Sequence, residues 1–358
     1  MAEPKIELYV NDSVYAGWTE VSVKRSIKAV SGCFDISLND RWDLTSKPWP
    51  LIPGDECQLK IEDQEVISGF VDDVDTEIDA NSKRIRVAGR DKTADVVDCS
   101  VVHKTGHWNK PIDIVDLATA LCEPYGISVS ADVDTGEPLP NWDTRPGETV
   151  FQNLDRAAKY RGLLIVSDRN GGIVFTRAGQ NKAGFQLSYG INLLSVKSKY
   201  SQKERFSEYV VSMALGGMDV TAPEFTNKAL IWKAGDSQIN RFRRLTIVED
   251  GLSTQIPVAE RARWEASTRA GKSQVIDVSI VGFTKPNGDL WVENELIPIK
   301  IPFLGIDLEL LSTDVTYRYS GGGSITDISL TRKDAFELLP LIDNQQDLWN
   351  KLARQGAL

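Results

Sequence analysis

The sequence predicts an α+β protein that is mostly β, with two related small β-barrel domains, an inserted α+β domain and a further inserted segment. Three observations lead there. Residues 1–100 carry short alternating apolar and polar runs with turn chemistry between them. Residues 105–180 change to apolar side chains three and four positions apart. β patterning returns from Ile191, and its last part repeats the first segment at low identity.

Strands are expected at 5–10 and 18–26, and at 33–38, where Phe34, Ile36 and Leu38 share one side. Pro53-Gly54-Asp55 is a turn signal. Leu59 and Ile61 then point inward, and Asp63-Gln64 makes a tight turn into a long strand at 65–78. Residues 80–83 turn the chain back, and 84–89 alternates Ile85 and Val87 against Arg84 and Arg86. Ile114, Leu117, Ala118 and Leu121 have helical spacing within 111–122. Val150, Phe151, Leu154, Ala157 and Ala158 do the same within 147–161; Pro146 and Glu148 suit the first turn and Gly162 the stop. Asp168-Arg169-Asn170-Gly171-Gly172 joins 163–167 to 173–176 as a hairpin. Later strands fall at 193–200, 206–213, 274–281, 295–301, 308–319 and 324–330, with strand character near 229–232 and 245–248. Helices are expected at 257–270, stopping at Gly271, and at 344–355, with Leu348, Trp349 and Leu352 as a thin apolar stripe.

A shift of 241 lays Asp73-Val74 on Asp314-Val315, Val87 on Ile328, Lys92 on Lys333 and Ala94 on Ala335, and a shift of 240 lays Leu59 and Ile61 on Ile299 and Ile301. Strand lengths, turn position and inward face agree as well, and a one-residue slip would put the wrong face on the core. The expected order is a first barrel over 1–102, an α+β domain over 103–185, a second barrel over 186–215 plus 272–340, an inserted segment with a helix over 216–271, and a helical tail over 341–358.

Formal net charge is −10, against the basic surplus that nucleic-acid binders use to displace phosphate counterions; Arg241-Phe242-Arg243-Arg244 is the best local basic patch. No run approaches the roughly 18–20 apolar residues of a membrane helix, and the start has no secretory pattern, so a soluble chain made in a cytoplasm is expected. Cys33, Cys57, Cys99 and Cys122 fit no zinc framework and are expected to be buried small hydrophobes.

No arrangement predicts catalysis, a metal or a cofactor. His103 and His107 stand four apart, a metal spacing on a helix, but the intervening loop with Pro111 nearby is a poor helix. Asp168–Gly172 resembles the start of a calcium loop without its later acidic ligands. Asp72-Asp73 and Asp75 suggest a glycosidase pair, but neighbours on a strand face opposite sides. Gly321-Gly322-Gly323 has no Lys and precedes a strand, so it is a turn and not a phosphate loop. The nine tryptophans, Trp18, Trp42, Trp49, Trp108, Trp142, Trp232, Trp264, Trp291 and Trp349, are scattered, which suits packing better than sugar stacking.

Pro53-Gly54-Asp55, then Gly69-Phe70-Val71-Asp72-Asp73-Val74, then Val87-Ala88-Gly89-Arg90-Asp91-Lys92-Thr93-Ala94-Asp95 resemble the N-terminal signature of phage baseplate-hub proteins, the Mu-like tail proteins related to the late-control D group. Gly147-Glu148-Thr149, Gly162-Leu163-Leu164, and Gly288-Asp289-Leu290-Trp291 before Asn294 follow in order, so the resemblance covers about residues 1–340. These residues read as fold markers, with Gly89-Arg90-Asp91 ending a strand at a barrel rim with a local ion pair. The resemblance implies a structural, non-enzymatic hub of a contractile phage or prophage tail. It implies a homotrimer between a tail tube protein above and a spike protein below, beside other baseplate proteins. DNA would pass through its lumen without specific binding, and no membrane insertion is implied. Synthesis in the host bacterial cytoplasm and a final place in the virion baseplate follow. The alternatives are a cell-wall-degrading, lysozyme-like tail enzyme and a carbohydrate-binding tail module.

Overall fold

The computed structural model describes residues 4–11, 13–40, 51–79, 83–214, 229–250 and 258–339. The expected helix at 344–355 and the turn at 80–82 lie outside them, as do Trp42, Trp49 and Trp349. The described residues form two compact units, 4–155 with 164–197 and 276–330, and 156–163 with 198–275 and 331–339.

The first unit is built on one sheet. Its first half contains β1 (Ile6–Val10), β2 (Ser13–Tyr15), β3 (Glu20–Ser26), β4 (Cys33–Asp40), β5 (Glu56–Ile61), β6 (Gln64–Ile78) and β7 (Lys83–Asp91), followed by helix α1 (Ala94–Asp98). The inserted residues carry β8 (His107–Trp108), α2 (Ile114–Cys122), β9 (Val129–Ala131), β10 (Trp142–Asp143), α3 (Val150–Arg161), β11 (Leu164–Ser167) and β12 (Ile173–Thr176). After them come β13 (Asn181–Lys182), β14 (Leu187–Ser188) and β15 (Ser195–Tyr200). The second unit adds β16 (Glu208–Ala214), β17 (Ala229–Gly235), β18 (Arg244–Asp250) and α4 (Val258–Lys272). The chain then returns through β19 (Gln274–Val281), β20 (Glu295–Ile301), β21 (Ile306–Ser320) and β22 (Gly323–Thr331).

Strand order in the large sheet is β15-β19-β22-β21-β3-β4-β7-β6-β5-β1-β2, with β20 beside β21 and β13 and β14 beside β20. The repeat is present as topology. β5, β6 and β7 pair in sequence, and so do β20, β21 and β22; β6 and β21 are both 15 residues long. Leu59 and Ile61, like Ile299 and Ile301, are buried in a single hydrophobic cluster that both halves share. The two expected barrels are thus two halves of one sheet, and no closed sheet is found among the described strands. The physical reason is the pairing of β21 with β3, Asp314 opposite Ser26 through Tyr319 opposite Val21, which welds the halves edge to edge.

Alternation decides which face of this sheet is dry. Val21 and Val23, Phe34 and Ile36, Ile85 and Val87, Val315 and Tyr317, and Ile328 and Leu330 are all buried on one side. In β6 the register slips between Val71 and Asp73, leaving Asp72 as an extra residue. This bulge restores Val74 to the core side opposite Val87.

Asp113 caps α2 by accepting from the Val115 N–H at 2.8 Å. The helix expected over 147–161 starts at its first apolar residue, Val150, so Pro146 and Glu148 precede it; Thr149 and Gln152 bond each other's backbone N–H and fix the entry there. Gly162 ends it at φ 64°.

In the second unit β16 pairs with β17 and, in parallel, with β18. Its spacing predicts a place in the second barrel, whereas it sits in this separate three-stranded sheet. Val211 and Ala262 of α4 are buried against each other, with Trp232, Ala234 and Ile247 around them. α4 also runs through Gly271 instead of stopping there. A Cβ at Gly271 would lie 2.6 Å from the Ala335 backbone nitrogen, so this glycine serves close approach and not termination.

Gly69 is tighter still: a Cβ there would lie 1.8 Å from the Arg90 carbonyl oxygen, inside the β6–β7 ladder. Gly54, at φ 95°, has open space around it. Gly69→Ala is expected to cost about 3 kcal/mol or more through forced backbone shifts, and Gly54→Ala about 1 kcal/mol through backbone strain alone. Urea unfolding of the two variants measures the difference, and equal costs would refute the packing argument.

Candidate functional site

The inward parity of β3 is Val21, Val23, Arg25, so the strand carries a guanidinium into the core. Arg25 is only 3% exposed. Its Nε donates to Glu293 Oε1 at 2.8 Å, and Nη1 donates to the Val66 carbonyl at 2.8 Å and to Asp91 Oδ2 at 3.4 Å. Nη2 donates to the carbonyls of Ser167 and Asp168 at 2.7 and 3.2 Å. Asp91, wholly buried at the end of β7, also accepts from the Gly32 N–H and Ser167 Oγ, each at 2.8 Å. One side chain therefore joins the first half of the sheet, the β11–β12 hairpin and the segment before β20. Burial alone would lower the basicity of Arg25, but Glu293 and Asp91 outweigh it and hold the guanidinium above its ordinary value. Burial pushes the Asp91 carboxyl above its ordinary value, against the pull of Arg25 and of the Gly32 and Ser167 hydrogen bonds.

This cluster absorbs one of the motif residues, Asp91; the others make none of its hydrogen bonds. Arg90 faces outward and pairs with Asp72 at 2.7 Å and Asp98 at 2.9 Å. The local ion pair expected at Gly89-Arg90-Asp91 is made by Arg90 with Asp72 and Asp98, while Asp91 turns inward, because neighbours on a strand point to opposite faces. Gly89 admits the Phe34 ring, which would lie 2.6 Å from a Cβ. Pro53 and Gly54 form a turn closed by the Asp55 N–H to the Ile52 carbonyl at 3.2 Å, and Asp55 accepts from Asn11 and from the Ile52 N–H. Asp73 is exposed opposite Ala88. Trp291 is buried, its carbonyl accepting from the buried Tyr317 hydroxyl. Asn294, at φ 63°, accepts from the Gly179 N–H at 2.8 Å and donates to the Arg177 carbonyl at 3.0 Å. Gly162, at the end of α3, belongs to the second unit.

The other face of the sheet is exposed and charge-paired. Arg84 meets Glu20 at 2.6 Å, and Arg86 lies between Asp35 and Asp75 at 2.6 and 2.7 Å. Arg318 binds Asp327, which also accepts from Ser279. Because β21 pairs with β3, this face is continuous across both halves. Each exposed pair adds only about 0–1 kcal/mol to stability, so the pattern is better read as a surface property.

The remaining candidates do not assemble. His103 stacks on Trp108 with centroids 4.4 Å apart, and His107 pairs with Asp143 from a two-residue strand. Among the described residues no three His, Cys, Asp or Glu side chains gather to hold a metal. Asp168 Oδ1 accepts from the N–H groups of Asn170 and Gly172, which makes the loop a hairpin turn. Cys57 and Cys122 are buried, with thiols pushed up to about 12 by burial. Cys33 is exposed, contrary to expectation, because it lies at an outward position of β4, and Cys99 is half-buried. In the basic patch Arg244 is paired to Glu208, and Arg243 lies over the Phe206 ring at 5.0 Å. Sequence reasoning missed Arg25 and Glu293. The available signal was parity: a charge in register with Val21 and Val23, and Asp91 in register with Ile85 and Val87.

Comparison with known proteins gives one consistent result. Family models match along the chain: "Mu phage baseplate assembly protein GpP-like, N-terminal" over residues 5–91, "Baseplate hub protein gp44-like, second domain" over 93–177, and "Mu phage baseplate assembly protein GpP, fourth domain" over 254–339. Baseplate hub protein gp44 of Escherichia phage Mu is 33% identical over 352 residues, 96% of this chain and 91% of that protein. Among solved structures, the 43 kDa tail protein of prophage MuSo2 from Shewanella oneidensis aligns with a TM-score of 0.82 and 32% identity, covering 94% of this chain and all of that one. A tail protein from Neisseria meningitidis aligns at 0.76 and 19% identity, covering 94% and 99%. A component of the Escherichia coli type VI secretion system, described as similar to T4 tail proteins gp27 and gp5, aligns at 0.57 and 9% identity, covering 94% and 80%; these last two matches show shared fold alone.

Removing the Arg25 guanidinium would leave two buried carboxylates without their cation. Arg25→Met is expected to cost about 3–5 kcal/mol, and Arg25→Lys less. Asp91→Asn should change with pH in a defined direction. The raised Asp91 value means that its contribution to stability is full below the ordinary 3.8 and is lost as pH rises through the raised value. The Asn variant should therefore gain on the unaltered protein as pH rises above the ordinary carboxylate value of 3.8, measured as urea midpoints. A gap that widens with rising pH would contradict it.

Proposed function

Because the chain belongs to the family of Mu-type phage baseplate hub proteins, we propose that it forms a homotrimeric ring at the centre of the baseplate of a contractile tail, adapting a six-fold tail tube protein above to a three-fold spike protein below. The observation that carries this reading is the repeat and its edges. Within one chain, the far half of β21 is covered by β3 of the other half. The corresponding stretch of β6, residues 72–78, has β7 on one edge and no strand on the other among the described residues. The strand corresponding to β3 is β15, which ends the sheet. An edge of this kind is a template for another chain. If β15 of one copy covers 72–78 of the next, every junction in the ring repeats the β21–β3 junction, and three copies present six like halves.

The same geometry bears on the channel. The Arg25 contacts place the β11–β12 hairpin on the core side of the sheet, where it adds bulk. A closed ring has room for that bulk only outside, which leaves the charge-paired face lining the lumen. Arginines already held by carboxylates are poor traps for phosphate, and DNA would pass without specific binding. Other baseplate proteins would surround the ring. We assign the chain no reaction: the relatives are named for their place in the baseplate, and the motif residues here pack, turn or pair. The protein is a component of the virion tail. Among the described residues no helix is long and apolar enough to cross a membrane.

Light scattering at micromolar concentration is expected to give three times the 39.7 kDa chain mass. Hydrogen exchange should show the amides of 72–78 and of β15 becoming protected together, and only as the trimer forms. A monomer at all concentrations, with tube and spike proteins present, would remove the adaptor reading. A trimer that leaves both edges exchanging freely would remove the strand pairing.

A further inference from the structure

The two halves of the sheet differ at one corresponding turn. In the first half, β5 and β6 are joined by Glu62 and Asp63, both at positive φ, 50° and 63°. Lys5 holds this turn: its backbone N–H donates to Glu62 Oε1 at 3.2 Å, its carbonyl accepts from the Glu62 N–H at 2.9 Å, and its ammonium binds Asp63. In the second half the matching turn is Pro302-Phe303-Leu304-Gly305, two residues longer and apolar. It is closed by the Gly305 N–H to the Pro302 carbonyl at 3.0 Å, with Gly305 at φ 66°. Phe303 is 90% exposed, and Leu304 and Leu308 are each 42% exposed. At the base of the same hairpin Lys300 pairs with Asp307 at 3.3 Å, and Lys182 with Glu309 at 2.9 Å.

We propose that the Phe303–Leu304 tip is the contact for a three-fold partner, and that the ring end carrying the β5–β6 and β20–β21 turns is the spike side. The proposal rests on the trimeric reading. In that ring acidic and apolar turns alternate around one rim. A six-fold partner needs six like contacts and would meet Glu62–Asp63 at every second position. A partner with three apolar recesses meets three identical tips. An aromatic side chain on a turn stiffened by proline gives up little freedom on docking, and the ion pairs at its base form the polar rim that surrounds strong contact residues. The occupant is accordingly a trimeric protein whose docking end carries three apolar pockets, the part the spike takes in the proposed assembly.

The test uses the full-length hub with Phe303→Ser and Leu304→Ser together, and a second variant with Glu62→Ser and Asp63→Ser. Each is assayed for trimer mass by light scattering, and for binding to the purified trimeric spike protein and to the tube protein of the same phage. The tip variant should keep its trimer mass and its affinity for the tube, and should lose about 30-fold or more in affinity for the spike. The acidic-turn variant should keep both affinities within a few-fold. Unchanged spike affinity in the tip variant overturns the proposal. So does loss of tube binding instead, which would put the tube at this end, or loss of the trimer, which would make Phe303 a contact between copies. A monomeric unaltered protein would instead sink the ring reading from which the proposal starts.

Discussion

Arg25 contributes five N–H donors on one rigid fork, and each has an acceptor in a buried or half-buried place. The acceptors belong to stretches far apart in sequence: Val66 and Asp91 in the first half of the sheet, Ser167 and Asp168 in the inserted hairpin, and Glu293 just before the second half. Hydrophobic contact is non-directional and would let these pieces slide by a methyl or two. A planar guanidinium with fixed donors does not. The cost of burying it is met only while every acceptor is in place, so a partly assembled core is penalised and the fully assembled one is singled out. A structural hub gains from such a constraint because its task is to hold geometry under load.

Around that constraint the chain uses one solution twice. A long strand is flanked by a short one on its first half and left open by it on its second; under the proposed ring the hairpin strand of the next half fills both openings. Inside the chain β3 fills the one beside β21. The bulge at Asp72 has its place in this scheme, because it restores Val74 to the core and turns Asp72 outward to Arg90. The motif glycines fit it too. Gly69 and Gly89 permit backbone and ring approaches that no side chain would allow, and these approaches bring β5, β6, β7 and β4 together.

Most of the sheet was legible in sequence because its signal is local. Alternation marks strands and faces, and Asp168–Gly172 marks a hairpin by its own hydrogen-bonding chemistry. Gly162 was legible for the same reason. Three kinds of feature were not. The weld between β21 and β3 joins residues about 290 apart, and nothing in either strand names its partner, so two closed barrels and one shared sheet read alike. Gly271 looks like a stop but is a contact with Ala335, visible only once the fold is known. The Arg25 cluster was hidden by habit of reading: charged residues in a strand are assigned to water, although the parity of Val21, Val23 and Arg25 already pointed inward.

The exposed charges follow a similar logic from the opposite face. Arg84, Arg86, Arg90 and Arg318 could have been left as free cations at little cost to the fold, since surface pairs add almost nothing to stability. Instead each is paired with at least one carboxylate of another strand. That arrangement has little value for holding the protein together; under the proposed ring it would suit a surface past which a polyanion slides. The buried arginine and the exposed ones thus answer different demands with the same pairing chemistry. Sequestered from water, it fixes the frame; in water, it neutralises cations that would otherwise bind phosphate. The strand parity that separates Asp91 from Arg90 decides which of the two roles a neighbouring residue takes.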